Sequence, residues 1–272
     1  MNYFMDLEVY KNFFLCSFMR EDGKIKHFEK HNDKALDVKG IMKTLGHQGH
    51  TIITFNGNHY DLPVLKLALS GGTCAEMKAL SDKIIVDQIK TWNLDRPKCD
   101  HVDLKEVAPS IASLKIYGGR LGAQKLKDLP IDPSHLVTPS QREELKTYCE
   151  NDLKLTELLY KSLIPQLDLR VKLTKQYNVD MRSKSDAQIA EAIIRKYLKT
   201  KKVIANKRES SVEPFKYKVP NWVQFESVEF NEMLNKVKTC TFEVNEKGSV
   251  LMPAALDKAV EFCGGKYKFG IG

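Results

Sequence analysis

Residues 1–10 read MNYFMDLEVY, and inside that apolar stretch two acids, Asp6 and Glu8, stand one leucine apart. The aromatic and branched residues around them predict a strand, in which side chains two apart point to one face, so the two carboxylates would stand side by side. Such a pair repels itself. Burying even one unpaired carboxylate is costly, so the arrangement calls for something positive between the two, most economically a divalent cation. A cation held there needs further ligands from elsewhere in the chain.

The acids open a meander. YFMDLEVY, FFLCSFM and KIKHFEK read as three strands, with Gly23 in REDGK where a hairpin needs positive φ. A helix over VKGIMKTLGH follows, then a β-branched strand in TIITFNG, then a helix over DLPVLKLALSGG that places Asp61 at its N-terminus. CAEMKALS predicts a short helix and KIIVDQ a strand. VTPSQREELKTYCENDLKLTELLYKSLIPQL predicts one long helix, with Thr138 as cap, Pro139 at the first helical position and Gln141 closing a capping box. SKSDAQIAEAIIRKYLK begins the same way, from Ser185 and Gln188, and a short helix and a hairpin turning at NEKG come after it. Strands alternating with helices predict an α/β layered domain over residues 1–175. Residues 176–272 read as a basic helical and hairpin segment, a smaller α+β unit. The closing GGKYKFGIG, with neither a terminal helix nor a polar tail, suggests a chain cut from a larger protein.

The 272 residues, 42% hydrophobic and 29% charged, have an ordinary globular balance. No apolar run is long enough to span a bilayer, and the first residues lack a signal peptide's basic and hydrophobic regions, so no membrane partner and a cytoplasmic setting are expected. The six cysteines are scattered without CxxC spacing and read as reduced thiols; the histidines of GHQGH read as a helix end and loop. The net charge of +8 is uneven: Lys+Arg against Asp+Glu is 24 to 23 over residues 1–170 and 19 to 12 over the rest. The densest basic stretch, RKYLKTKKVIANKRESSVEPFKYK, interleaves Tyr197, Phe215 and Tyr217 with its lysines and arginines. Composition leaves two readings of it open, a solvated face or a track for a phosphate backbone.

Asp152 supplies a third acid, four residues after Tyr148 on the long helix and therefore on the same face. Asp61 supplies a fourth, just after a strand that would lie near the first in a layered sheet. Acids far apart in sequence, each at an element's end beside one cleft, suit a phosphoryl-transfer site with two hard cations about 3.5–4 Å apart. Magnesium and manganese prefer such oxygen donors.

Together, Asp6 and Glu8 in MDLEVY, Asn56 and Asp61 in FNGNHYDLP, and Tyr148 and Asp152 in YCENDL resemble the three exonuclease motifs of the DEDD superfamily, which is ribonuclease H-like in fold. The histidine subgroup carries its base five residues before the last aspartate, where this chain has Thr147, so the resemblance is to the tyrosine subgroup. Further stretches, SLKIYGGRLGAQKLKDLP, MRSKSDAQIAEA and YKFGIG, are similar to the N-terminal proofreading domain of bacteriophage replicative DNA polymerases of family B type.

The resemblance implies a ribonuclease H-like mixed sheet flanked by helices and a metal-dependent 3′→5′ exonuclease acting on single-stranded DNA 3′ ends. It also implies a polymerase domain in the same parent chain and, if phage-encoded, the host cytoplasm as the compartment. Asp6, Glu8 and Asp152 would hold the Mg²⁺ or Mn²⁺ ion carrying the attacking water, Asp6 would bridge to a second ion, and Asp61 would support that ion. Tyr148 would orient the water, its phenol pKa of about 10 suiting hydrogen bonding better than proton removal at neutral pH. Asn56 either bonds the terminal nucleotide or fixes the loop before Asp61. Two other readings compete: a free-standing exoribonuclease on the same fold, and a catalytically silent nucleic-acid-binding module acting through the basic segment.

Overall fold

The computed structural model of the chain describes residues 1–32, 34–109, 111–201, 213–245, 249–256, 260–262 and 265–267, the last two stretches by their backbone. Lys202, Lys207 and Arg208 of the basic run, the centre of the NEKG turn, Cys263 and the final 268–272 lie outside the described residues.

The three predicted strands form as β1 (Asn2–Tyr10), β2 (Phe13–Arg20) and β3 (Ile25–His31), an antiparallel meander whose β2–β3 turn sets Gly23 at φ 80°. After α1 (Val38–Leu45) the chain adds β4 (Thr51–Thr54) parallel to β1. It then runs through α2 (Asp61–Leu69) and α3 (Cys74–Ile85) to β5 (His101–Asp103), parallel to β4. The order β3-β2-β1-β4-β5 makes a five-stranded mixed sheet flanked by helices, the α/β layering that the alternation of elements predicted and the mixed sheet that the resemblance implied. A single turn of helix, α4 (Leu104–Val107), and α5 (Leu114–Arg120) lead to the long α6 (Gln141–Ser162), then α7 (Ile164–Tyr177) and α8 (Asp186–Thr200).

Alternation along β1 decides what each sheet face carries. Met5, Leu7 and Val9 join Ile41, Leu65 and Met77 from α1, α2 and α3 in one apolar cluster. On the opposite face Phe4 packs with Leu153 and Leu159 of α6, while Tyr10 packs with Leu145 and Cys149. Asp6 and Glu8 fall between those two clusters. The β1–β4 ladder stops at Phe4↔Ile53, so from Met5 onward β1 has no strand on its β4 side. This leaves a crevice at the carboxyl ends of parallel strands, the usual place for a ligand in such sheets.

Three local expectations change. KIIVDQ is not a strand: the capping box between Thr73 and Glu76 starts a helix that runs on through Ile85, and Ile85 and Val86 are exposed. The long predicted helix breaks at Leu163 because Pro165 lacks an N–H and its ring crowds the preceding turn, so α7 starts afresh. At the other end of α6, Gln141 Oε1 accepts from the Thr138 N–H at 2.9 Å and from its hydroxyl at 2.9 Å, while helical structure begins at Gln141 itself. The capping box of Ser185 and Gln188 forms as expected.

The first compact unit runs from Met1 to Val203, so residue 175, where the layered domain was expected to end, lies within α7. The second unit, Ile204–Gly272, is α+β. In it β6 (Phe215–Lys216) pairs antiparallel with β7 (Thr241–Phe242) across α9 (Val228–Thr239), and Phe215 stacks on Phe242 with ring centres 5.5 Å apart. The backbone strands β8 (Val260–Phe262) and β9 (Gly265–Tyr267) pair antiparallel. Among the described residues no helix is long and apolar enough to cross a membrane.

Candidate active site

The structure brings Asp6, Glu8, Tyr148 and Asp152 to one cleft of ≈ 390 Å³, with Tyr60 and Ser81 on its wall. β1 supplies the two acids from the stretch that β2 pairs and β4 does not, and α6 crosses that face with Tyr148 and Asp152 one turn apart. Asp61, the first residue of α2, is 4% exposed and close enough to raise the pKa of Glu8.

This crowding of carboxylates dominates the electrostatics. Burial first, then the charge of Asp152, pushes Asp6 up to about 7. Burial, then Asp6, Asp152 and Asp61, raises Glu8 well above the usual range, with only Lys115 opposing them. Asp61 is likewise raised, by burial and then by Asp6 and Asp103. Burial raises Asp152 despite the opposing Tyr148 and Asn151 side chains, and among the described residues its buried Oδ1 has no hydrogen-bond partner. The Tyr148 phenol is itself pushed up by burial and by Asp152 and Glu8, so it stays protonated. Lys115 on α5 stands with Nζ 5.4 Å from the Tyr148 ring centre and 3.3 Å from Asp128 Oδ1.

An orphaned buried oxygen and a set of hard donors that repel one another fit a divalent cation. The tightest group of potential ligand atoms, all within 4.8 Å of one another, comes from Asp6, Glu8 and Cys149; Asp61 and Asp152 stand outside that trio. Cys149 was not foreseen as a neighbour of the acids. Its thiol donates to Asp6 Oδ2 at 3.3 Å, and burial beside Asp6 and Glu8 pushes it well up. The signal lay in YCEND, where Cys149 follows Tyr148, but only the packing of α6 on β1 shows it.

Asn56 is not among the residues lining this cleft. It takes φ 72°, donates its backbone N–H to Asp103 Oδ1 at 2.8 Å, and accepts from Lys105 Nζ at 3.1 Å. Asp103 also accepts from the Asn58 N–H at 2.8 Å and the Lys105 N–H at 3.1 Å, so it pins the loop leading to Asp61 and caps α4. Gly57 lets that loop close, since a Cβ there would stand 2.0 Å from Thr54 Oγ1. These contacts fit the loop-fixing alternative for Asn56. Sequence reasoning missed Asp103 because β5 is too short to show a period.

Residues 3–129 match the model of the family RNase_H_2, of the RNase H superfamily. The solved structure of the family B DNA polymerase from the hyperthermophilic archaeon Pyrobaculum calidifontis is similar in fold, with a TM-score of 0.50 and 19% sequence identity over 79% of this chain. The chain spans 31% of that polymerase's length. No curated protein sequence matches.

Proposed function

From an RNase H-superfamily domain over residues 3–129, we propose a metal-dependent 3′→5′ exonuclease that hydrolyses phosphodiester bonds at single-stranded DNA ends. It would be the editing part of a family B-like, phage-type DNA polymerase. The observation that carries this reading is the convergence of Asp6, Glu8, Asp152 and a protonated Tyr148 on one cleft, with Asp61 close enough to act on Glu8. The direction of hydrolysis and the DNA substrate come from the resemblance of the three motifs.

Asp6, Glu8 and Asp152 would hold one Mg²⁺ or Mn²⁺ ion, and Asp6 with Asp61 a second. When bound, such a pair supplies an activated water and neutralises charge on the leaving oxygen. The chain's own part is orientation. Tyr148 keeps its proton and lines the cleft with Asp152, where its phenol would align a water. Asp103 and Gly57 fix the loop that delivers Asp61. The apolar clusters on either side of the acids limit rearrangement of the carboxylates.

The test is digestion of single-stranded DNA labelled at either end. A 3′-labelled strand should release label first as a mononucleotide, a 5′-labelled strand should shorten stepwise, and EDTA should abolish both. Faster digestion of RNA would move the reading to an exoribonuclease. Salt-sensitive binding with no metal-dependent cleavage would leave only a nucleic-acid-binding module.

A further inference from the structure

β2 is apolar along most of its length, FFLCSFMR, yet it carries a fully buried serine, Ser17, at its centre. Burying a hydroxyl is costly unless it is hydrogen-bonded, and Ser17 finds its partner across the sheet: its Oγ lies 2.8 Å from His27 Nδ1. The ladder pairs Asp6 with Ser17 and Ser17 with His27, so these three stand in a row on one face, and α6 covers that face. Two consecutive residues of α6 complete the row. Cys149 donates to Asp6 Oδ2 at 3.3 Å, and Glu150 Oε1 sits 3.1 Å from His27 Nε2.

We propose that Cys149 is a positioning residue for Asp6: its thiol, donating to Oδ2, fixes the rotation of the Asp6 carboxylate toward the cation site, while Ser17, His27 and Glu150 tie β2, β3 and α6 together beside it. The inference rests on Asp6 serving as a cation ligand. With Oδ2 taken by the thiol, Oδ1 is left as the oxygen for the cation, and the carboxylate need not be ordered when the cation arrives. The contacts of Ser17, His27 and Glu150 run one way, away from Cys149. The Glu150 carboxylate accepts from His27 Nε2–H, which leaves Nδ1 to accept from the Ser17 hydroxyl. Cys149 itself is a donor here and not a ligand, because an ordinary thiol is protonated at neutral pH and hard cations prefer oxygen.

Supports behind a metal ligand are worth about 10–100-fold in affinity, and a thiol is a weak donor, so the lower end applies. Calorimetric titration of the whole chain with Mn²⁺, without DNA, tests this. Cys149→Ala should weaken binding about 10-fold, Ser17→Ala, which leaves the thiol's bond to Asp6 in place, should change it little, and Cys149→Ser, which restores a donor, should bind better than Cys149→Ala. Thermal melting without metal shows that each variant is folded. Asp6→Asn belongs in the same series. If it binds Mn²⁺ as the wild type does, the ligand reading of Asp6 fails. If it loses binding while Cys149→Ala does not, the positioning role fails and Cys149 only packs. Cys149→Ser binding no better than Cys149→Ala would also overturn that role. So would a thiolate-to-metal ultraviolet band on adding Cd²⁺ to the wild type but not to Cys149→Ala, since Cys149 would then be a ligand itself.

Discussion

Glu8 and Asp103 are both buried acids, 7% and 0% exposed, yet they live in opposite conditions. Asp103, at the end of β5, is met by three backbone N–H groups from Asn56, Asn58 and Lys105. Glu8, on β1, is met chiefly by other acids, Asp6, Asp152 and Asp61, against one distant lysine. Burial alone therefore says little about what a carboxylate does. The informative quantity is how much of its charge the protein answers: Asp103 is answered in full and holds a loop, while the β1 and α6 acids are left for something the chain does not contain.

The strongest way to break this contrast is Asp6→Asn, which keeps the shape and removes a charge. Nuclease activity should fall by more than the roughly 100-fold that losing a mere support for a ligand costs. Metal-free stability should hold or rise, because repulsion within the cleft is relieved. The sign follows from linkage. The folded-state pKa of Asp6, about 7, is above its ordinary value of 3.8, so its contribution is fully present below pH 3.8 and lost as pH rises through 7. Melting curves without metal should thus show wild type losing ground to Asp6→Asn over that window, and Mg²⁺ should restore wild type only. Equal metal-induced shifts would count against the contrast.

Asp103→Ala approaches it from the other side. Orphaning the three N–H groups should cost about 3 kcal/mol, as for other buried donors left without acceptors, and metal should not restore it. Urea unfolding with and without Mg²⁺ measures both. A variant rescued by metal would mean that Asp103 belongs to the cation site after all.

Tyr148→Phe removes one oxygen at the boundary between the two conditions, since the protonated phenol shares the cleft with Asp152 and opposes the rise of its pKa. The chemical step should slow by something on the order of 10²-fold with little change in metal affinity. Single-turnover release of the 3′ nucleotide beside a calorimetric titration separates the two. A rate that falls only in step with metal affinity would make Tyr148 a support for Asp152 and not a water-orienting group.

The unanswered acids were the legible ones. Asp6 and Glu8 stand out because period-two alternation puts two charges on one face of an apolar strand, and Tyr148 and Asp152 because four residues make one helical turn. The answered acid was silent, since its partners are backbone groups of a loop 45 to 47 residues away and of its own helix start. KIIVDQ misled for a related reason. Its apolar run fits strand or helix alike, and the deciding signal was the Thr73 and Glu76 cap a dozen residues earlier. Cys149 carried no pattern of its own; only α6 lying across β1 and β2 gives it a role.

The smallest expected effect sharpens the contrast by pH. His101 opens β5, two residues before Asp103, and its Nε2 lies 2.8 Å from Thr54 Oγ1. That hydroxyl oxygen also accepts from the Gly57 N–H at 3.1 Å, and a neutral imidazole with Nε2 unprotonated would take the hydroxyl's own proton. Burial, with Arg182 and Arg96 nearby and Asp103 and Asp100 opposing them, lowers the imidazole from 6.5 to about 4. Between those values the unfolded chain binds the proton and the folded chain does not, so the stability contribution is present above pH 6.5 and lost as pH falls through 4. This is opposite in sign to Asp6. Going from pH 7 to pH 5 should cost wild type roughly 1–2 kcal/mol relative to His101→Gln, whose amide oxygen can still accept from Thr54 without titrating. Urea midpoints of the two proteins in EDTA, taken at half-unit steps of pH, read the difference. Parallel curves would show that the β4–β5 side tolerates a proton at His101, and its loop would then be less settled than the three bonds to Asp103 imply.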